Sequence, residues 1–288
     1  MTDRITLVEC PRDAMQGLAD FVPTSLKIKY LQKLIDANVD VLDFGSFVSP
    51  QAIPQMRDTA QVLEQLRLDH SQTRLLAIIA NVRGAEAAIA KEAISYVGFP
   101  FSISETFQMR NTNASIGESF EKVKVIQDLC LRTGKRLVVY LSMAFGNPYG
   151  DPWNAEIALE WVSLLNELGI RTIALSDTVG IAHPESIRYL FSHLVPVYPE
   201  MEFGAHFHTR PEVWEEKIVA AFETGCRRFD GAIKGYGGCP MAKDELTGNM
   251  PTEKIVEYFL PRKMLPGIRS EAFLSAIAFS AEIFDHYH

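Results

Sequence analysis

Ile5-Thr6-Leu7-Val8-Glu9-Cys10-Pro11-Arg12-Asp13-Ala14-Met15-Gln16 is an apolar run that breaks into a charged turn containing no glycine. Alternating strands and helices build either an open doubly wound sheet or a closed barrel. The open sheet calls for a glycine-rich phosphate turn directly after its first strand. Here that turn reads Pro11-Arg12-Asp13-Ala14-Met15-Gln16, so the dinucleotide fingerprint is absent and a closed (β/α)8 TIM barrel is expected.

Outward from this stretch, the first run at 5–11 is followed by similar runs at 39–46, 74–80, 94–101, 136–144, 172–177, 201–208 and 227–234. Each is short and mostly apolar, as strands buried on both faces of a parallel sheet must be. Helical patterns lie between them. Ser25 to Asn38 carries a stripe of Leu26, Ile28, Leu31, Leu34 and Ile35, and 154–169 opens on an Asn cap and closes on Gly. Pro184 and Pro211 stand where a first helical turn would begin. Such a barrel needs about 250 residues, so a chain of 288 reads as one domain. The barrel is expected over about 5–260 and a short helical extension over about 261–288, with a helix at 269–286 packed across one end.

Composition narrows the function. A hydrophobic share of 47% is ordinary for a globular chain, and a net charge of −8 argues against a nucleic-acid surface. Met1 to Glu9 holds both charge signs and no long apolar run, so no signal peptide is expected. No stretch approaches the roughly 20 apolar residues of a membrane helix. The cysteines, Cys10, Cys130, Cys226 and Cys239, form no CxxC pair, which reads as free thiols in a reducing cytoplasm.

A barrel carries its chemistry at the C-terminal ends of its strands. Those ends bring Arg12 and Asp13, Asp43 and Ser46, Ser102 and Glu105, Ser142, Asp177, His206 and His208, then Lys234 before Gly237-Gly238-Cys239-Pro240. In His206-Phe207-His208 the two imidazoles share a side of the strand and can face one ion. Satisfied rim histidines are the plainer reading. Asp13 from another strand would complete an open, mixed N/O site suited to a substrate-chelating metal, although a strand-end Asp also serves as a helix cap. Arg12 is either the partner of Asp13 or a cation aimed at an enolate oxygen. Cys239 is either a packed hydrophobe or a thiol in a loop that glycine lets approach a ligand. Lys234 is either an ion-pair or phosphate lysine or a Schiff-base lysine.

Six segments carry a family likeness. They are Val8-Glu9-Cys10-Pro11-Arg12-Asp13 with Gln16, SFVSPQAIPQMRD at 46–58, SISETFQMRNTNASIGESF at 102–120, Ser176-Asp177-Thr178-Val179-Gly180, His206-Phe207-His208, and GGCPMAKDELTGNMPTE at 237–253. Over about 5–260 the chain resembles the hydroxymethylglutaryl-CoA lyases, within a wider group of metal-dependent barrel lyases and synthases. The resemblance implies Asp13, His206, His208 and Asn249 as ligands of one divalent ion, Mg²⁺ or Mn²⁺. It implies Arg12 as the enolate-stabilising arginine, Cys239 as a mobile-loop thiol and Asp177 as a carboxylate near the substrate hydroxyl. Asp43 stands where these lyases usually have Glu. The implied reaction is metal-assisted cleavage of an acyl-CoA thioester substrate to acetoacetate and acetyl-CoA, in a homodimer. Departures are Ala14, Gly17-Leu18 and Thr209-Arg210-Pro211. Two rivals follow: a related lyase or condensing enzyme for another 3-hydroxyacyl thioester or 2-oxo acid, and a barrel that binds acyl-CoA without turnover.

Overall fold

The computed structural model describes residues 4–238 and 247–287. Its strands are β1 (Thr6–Glu9), β2 (Val41–Ser46), β3 (Arg74–Ile78), β4 (Ile94–Ser102), β5 (Arg136–Ser142), β6 (Thr172–Asp177), β7 (Glu202–Thr209), β8 (Arg228–Gly231) and a two-residue β9 (Gly248–Asn249). The helices are α1 (Pro11–Met15), α2 (Thr24–Asp36), α3 (Thr59–Gln65), α4 (Val82–Ile89), α5 (Glu105–Thr112), α6 (Ile116–Thr133), α7 (Ala155–Glu167), α8 (Pro184–Leu194), α9 (Trp214–Glu223), α10 (Thr252–Phe259) and α11 (Ser270–Phe284). Strands β1 to β8 are all parallel, each paired to its neighbours in sequence, and β8 pairs with β1 to close the barrel. The TIM barrel expected from the glycine-free first turn is the fold. Among the described residues no helix is long and apolar enough to cross a membrane.

The strand period of two divides the core. Val8, Cys10, Val41, Leu76, Tyr96, Val138 and Tyr140 form one buried apolar cluster, the barrel interior. Their neighbours Leu7, Leu42, Leu75, Val97, Leu137 and Val139 join the larger cluster between sheet and helices. The interior also holds Arg228, fully buried, and its stem fits because Gly204 lies opposite: a Cβ there would meet Arg228 Cδ at 2.9 Å.

Local signals set the element ends. Asn154 caps α7 by accepting the Ile157 N–H, and Gly169 takes φ +78° just beyond the helix. Ser115 and Glu118 form a capping box on α6. Five strands are shorter than expected, β1, β2, β3, β5 and β8, and two of these have a clear local cause. The first ends at Glu9 because Pro11 opens the short helix α1. The eighth ends at Gly231, where the chain turns through Ile233–Gly235 with Lys234 at φ 55°.

Glu9 anchors that turn. It is fully buried on the helix side of β1 and accepts the Ile233 N–H at 3.0 Å and the Thr252 hydroxyl. Burial pushes its carboxyl up from 4.5 to about 8. A folded-state value above the unfolded one means full stability below 4.5 and a loss as pH rises towards 8, at up to about 1.4 kcal/mol per pH unit. Glu9→Gln keeps an acceptor for Ile233 and removes the titration. In urea titrations the variant should therefore gain on the parent steadily between pH 4.5 and 8. A constant difference across that window would show that Glu9 does not titrate there.

Candidate metal centre

The barrel mouth gathers its polar groups from β1, β7 and the return strand β9. His206 and His208 lie two residues apart on β7, with Phe207 between them turned into the outer core. Helix α1 lifts Arg12 and Asp13 over the end of β1. One ligand atom each of Asp13, His206 and His208 lies within 4.8 Å of the others. β9 runs antiparallel to β7 with Asn249 opposite His208, and Asn249 Nδ2 donates to Asp13 Oδ2 at 2.9 Å. Gly237, at φ +84°, permits this: a Cβ there would meet the Ala14 Cα at 2.7 Å, the Asp13 carbonyl at 2.9 Å and Asn249 Nδ2 at 3.0 Å.

The outer contacts of the two rings orient them. His206 Nδ1 faces Asp230 Oδ2 at 3.2 Å, its register partner on β8. His208 Nδ1 donates to the Thr178 carbonyl at 2.9 Å. Each Nδ1 so engaged leaves Nε2 as the free lone pair. His208 Nε2 is buried and has no hydrogen-bond partner, which is costly unless something binds it. Burial and the neighbouring His206 lower His208, favouring the neutral ring that ligates metals. For His206, burial is outweighed by Asp230 and Asp13, and its pKa rises. Burial would raise Asp13, but Arg12 and the two imidazoles hold it below the usual carboxylate value. The donor set suits a divalent cation: one carboxylate, two imidazoles, and an excess of one negative charge when Arg12 is set against Asp13 and Asp43.

Arg12 Nε lies 3.0 and 3.2 Å from the Asp43 oxygens, and Nη2 also reaches Asp43. Its Nη1 donates to Asp13 Oδ1 and Gln16 Oε1, both at 2.9 Å, and Gln16 Nε2 returns to Asp13 at 2.8 Å. Burial pushes Asp43 up to about 6 against the pull of Arg12. Asp43 is fully buried behind the guanidinium, a clamp on Arg12 rather than part of the pocket wall. The pocket over this cluster has two sides. Arg12, Asp13, His206, His208, Ser142 and Ser176 supply polar groups, and Val48, Ala52, Ile53, Ile78, Ala80 and Phe107 supply an apolar wall.

Asp177 does not join the cluster. It follows Ser176, which lines the pocket, so alternation turns it towards the helices. Its oxygens accept the Ile181 and Ala182 N–H groups and the Lys217 ammonium, and it does not line the pocket. Asp177, expected beside a substrate hydroxyl, thus lies behind the pocket wall in this structure. Lys234 is exposed and outside the pocket, which leaves no Schiff-base geometry. The polar residues Ser46 and Ser102 accept backbone N–H groups two residues on, and Glu105 accepts that of Ile116. Cys239 lies outside the described residues. Asp230 and Lys217 escaped the sequence reading, and Gln16 entered it only as part of the family likeness, without a role. Arg228-Phe229-Asp230, two charges at period two in an apolar strand, was the available signal for Asp230.

A parallel barrel with an Asp–His–His set at its C-terminal mouth defines a TIM-barrel protein built to hold a divalent ion there. The chain belongs to the HMGL-like family, whose model matches residues 5–279. A mitochondrial hydroxymethylglutaryl-CoA lyase of Arabidopsis thaliana is 32% identical over 247 residues, which is 85% of this chain and 52% of that one. The chain thus spans about half the length of that relative. The 3-hydroxy-3-isohexenylglutaryl-CoA/hydroxymethylglutaryl-CoA lyase of Pseudomonas aeruginosa is 30% identical, covering 95% of this chain and 90% of its own. The structure of an HMG-CoA lyase from Acinetobacter baumannii in complex with coenzyme A and 3-methylmalate superposes with a TM-score of 0.90 at 29% identity, over 99% of this chain and 94% of that one.

Proposed function

We propose that the chain is a divalent-metal-dependent lyase that cleaves 3-hydroxy-3-methylglutaryl-CoA to acetoacetate and acetyl-CoA. The observation that carries this reading is the convergence of Asp13, His206 and His208, with an unpartnered buried Nε2, in a pocket that also presents Arg12. The lyases among its relatives supply the substrate class. Asp13, His206, His208 and Asn249 would hold a divalent cation, Mg²⁺ or Mn²⁺, which would supply the Lewis acidity that lowers the pKa of a substrate hydroxyl. As the C3 hydroxyl loses its proton, the C2–C3 bond breaks and C3 becomes the ketone of acetoacetate. The bonding pair passes to the thioester, whose enolate oxygen Arg12 faces, and one proton returns to C2 to give acetyl-CoA. Asp43 holds the guanidinium in place for this. Purified protein incubated with Mn²⁺ and the thioester should release acetoacetate and acetyl-CoA in equal amounts. Metal binding without release of either product would turn the reading towards an acyl-CoA-binding barrel.

A second reading has its own support. The apolar wall suits a 3-substituent longer than methyl, and the Pseudomonas relative is named for a 3-isohexenyl substrate as well as the 3-methyl one. Comparing kcat/KM for 3-methyl and longer 3-alkyl thioesters decides between them.

Cys239 belongs to the proposal as the loop thiol that returns the proton. Cys10, Cys130 and Cys226 are all buried. Burial pushes Cys130 up to about 11 and raises Cys10 and Cys226 far above the ordinary thiol value. Brief alkylation of the folded protein should therefore mark Cys239 alone, with substrate slowing the reaction. Prior labelling of Cys130, as found by peptide mass spectrometry, would remove the support for a reactive loop thiol.

A further inference from the structure

Lys217 lies on α9 and is only 2% exposed. A lysine held this deep must have its charge met. Its ammonium donates to Asp177 Oδ2 at 2.7 Å, to the His208 carbonyl at 2.9 Å and to the Gly180 carbonyl at 3.2 Å. Asp177 in turn accepts the Ile181 N–H at 2.8 Å and the Ala182 N–H at 3.1 Å. One charged group thus ties the end of β7 to the turn that follows β6. The same turn supplies the Thr178 carbonyl that takes the His208 Nδ1 proton, and Thr178 Oγ1 is itself fixed by the Met143 N–H at 3.0 Å. His208 is gripped twice by one turn, at its ring through Thr178 and at its carbonyl through Lys217.

We propose that Lys217 and Asp177 are a positioning pair for His208, holding its ring so that Nε2 aims at Asp13 and His206, and that Asp177 does not act on substrate. The inference rests on the metal centre proposed above. Asp177 is in register with Phe207, the residue of the His-Phe-His triplet that turns away from the pocket. Both its oxygens are engaged by three donors on the helix side of the sheet. Lys217 reaches the turn, the carboxylate and the ligand strand together. A methionine of similar length would fill the space and donate nothing.

Mn²⁺ titration followed by electron paramagnetic resonance, on purified protein without substrate, reads the effect directly. Lys217→Met and Asp177→Asn should each weaken Mn²⁺ binding about 10- to 100-fold, the usual cost of losing a partner behind a metal ligand. Turnover at saturating Mn²⁺ should return to within a few-fold of the parent. Folded variants that bind Mn²⁺ as the parent does would overturn the pair's role. Asp177→Asn with parental Mn²⁺ affinity and kcat lost at saturating metal would also overturn it, by placing Asp177 on the substrate. If Lys217→Met fails to fold, Asp177→Asn, which keeps the shape and an acceptor for Lys217, decides alone. A parent protein that binds no divalent ion would sink the metal centre itself, an outcome distinct from equal binding by parent and variants.

Discussion

Stripping divalent ions from the protein will abolish turnover, Mn²⁺ or Mg²⁺ will restore it, and His208→Ala will not be rescued by either. The expectation rests on one buried atom. His208 Nε2 has no protein partner, while Nδ1 of the same ring is spent on the Thr178 carbonyl. An imidazole fixed at one nitrogen and free of protein partners at the other, beside a carboxylate that Arg12 and the imidazoles hold below the usual carboxylate value, is a donor set that fits a divalent ion. Removing a ligand should cost more than the roughly 10- to 100-fold in affinity that follows loss of an outer partner. Calorimetry with Mn²⁺ separates the two cases, and turnover in the chelated protein measures the dependence itself. Full activity after chelation, or in His208→Ala, would leave two rim histidines and no metal chemistry.

The legible parts of this molecule are those where one residue's local chemistry decides the outcome. Eight apolar runs report a parallel sheet because both faces of each strand are buried. Asn154 and Gly169 bound α7 because a cap and a left-handed residue act locally. The period of two placed both imidazoles of His206-Phe207-His208 on one side. The same rule, applied to Ser176-Asp177, would have turned Asp177 outward, but the family likeness placed it in the site. Nothing in the sequence neighbourhood of Lys217 announces a carboxylate on β6, so its role was not legible. β9 has only two residues, Gly248–Asn249, and exists through its pairing with β7. No periodicity exists in so short a segment, so Asn249 was reached only through resemblance.

Arg12→Lys should lower kcat by about 100- to 1,000-fold, the scale reported for losing one preorganised donor to a developing oxyanion, with little change in KM. Charge alone does not set Arg12 in place. Asp43 meets Nε and Nη2 in a two-point clamp, while Nη1 bridges to Asp13 and Gln16. A guanidinium satisfies these three partners through one rigid plane, and an ammonium on a flexible stem cannot. Lysine would keep the positive charge near Asp13, so ground-state binding of an anionic substrate changes little. The group's direction towards the thioester oxygen is what disappears, and that matters only once charge develops there. Asp43→Asn tests the clamp from its other side: it keeps the shape, weakens the grip on Nε, and should reduce kcat in the same sense but by less. The informative contrast is kcat against KM at saturating Mn²⁺. A raised KM with kcat preserved in Arg12→Lys would make Arg12 a binding group for the substrate carboxylate. An unchanged kcat and KM would reduce it to the ion pair that holds Asp13 and Asp43 in the barrel mouth.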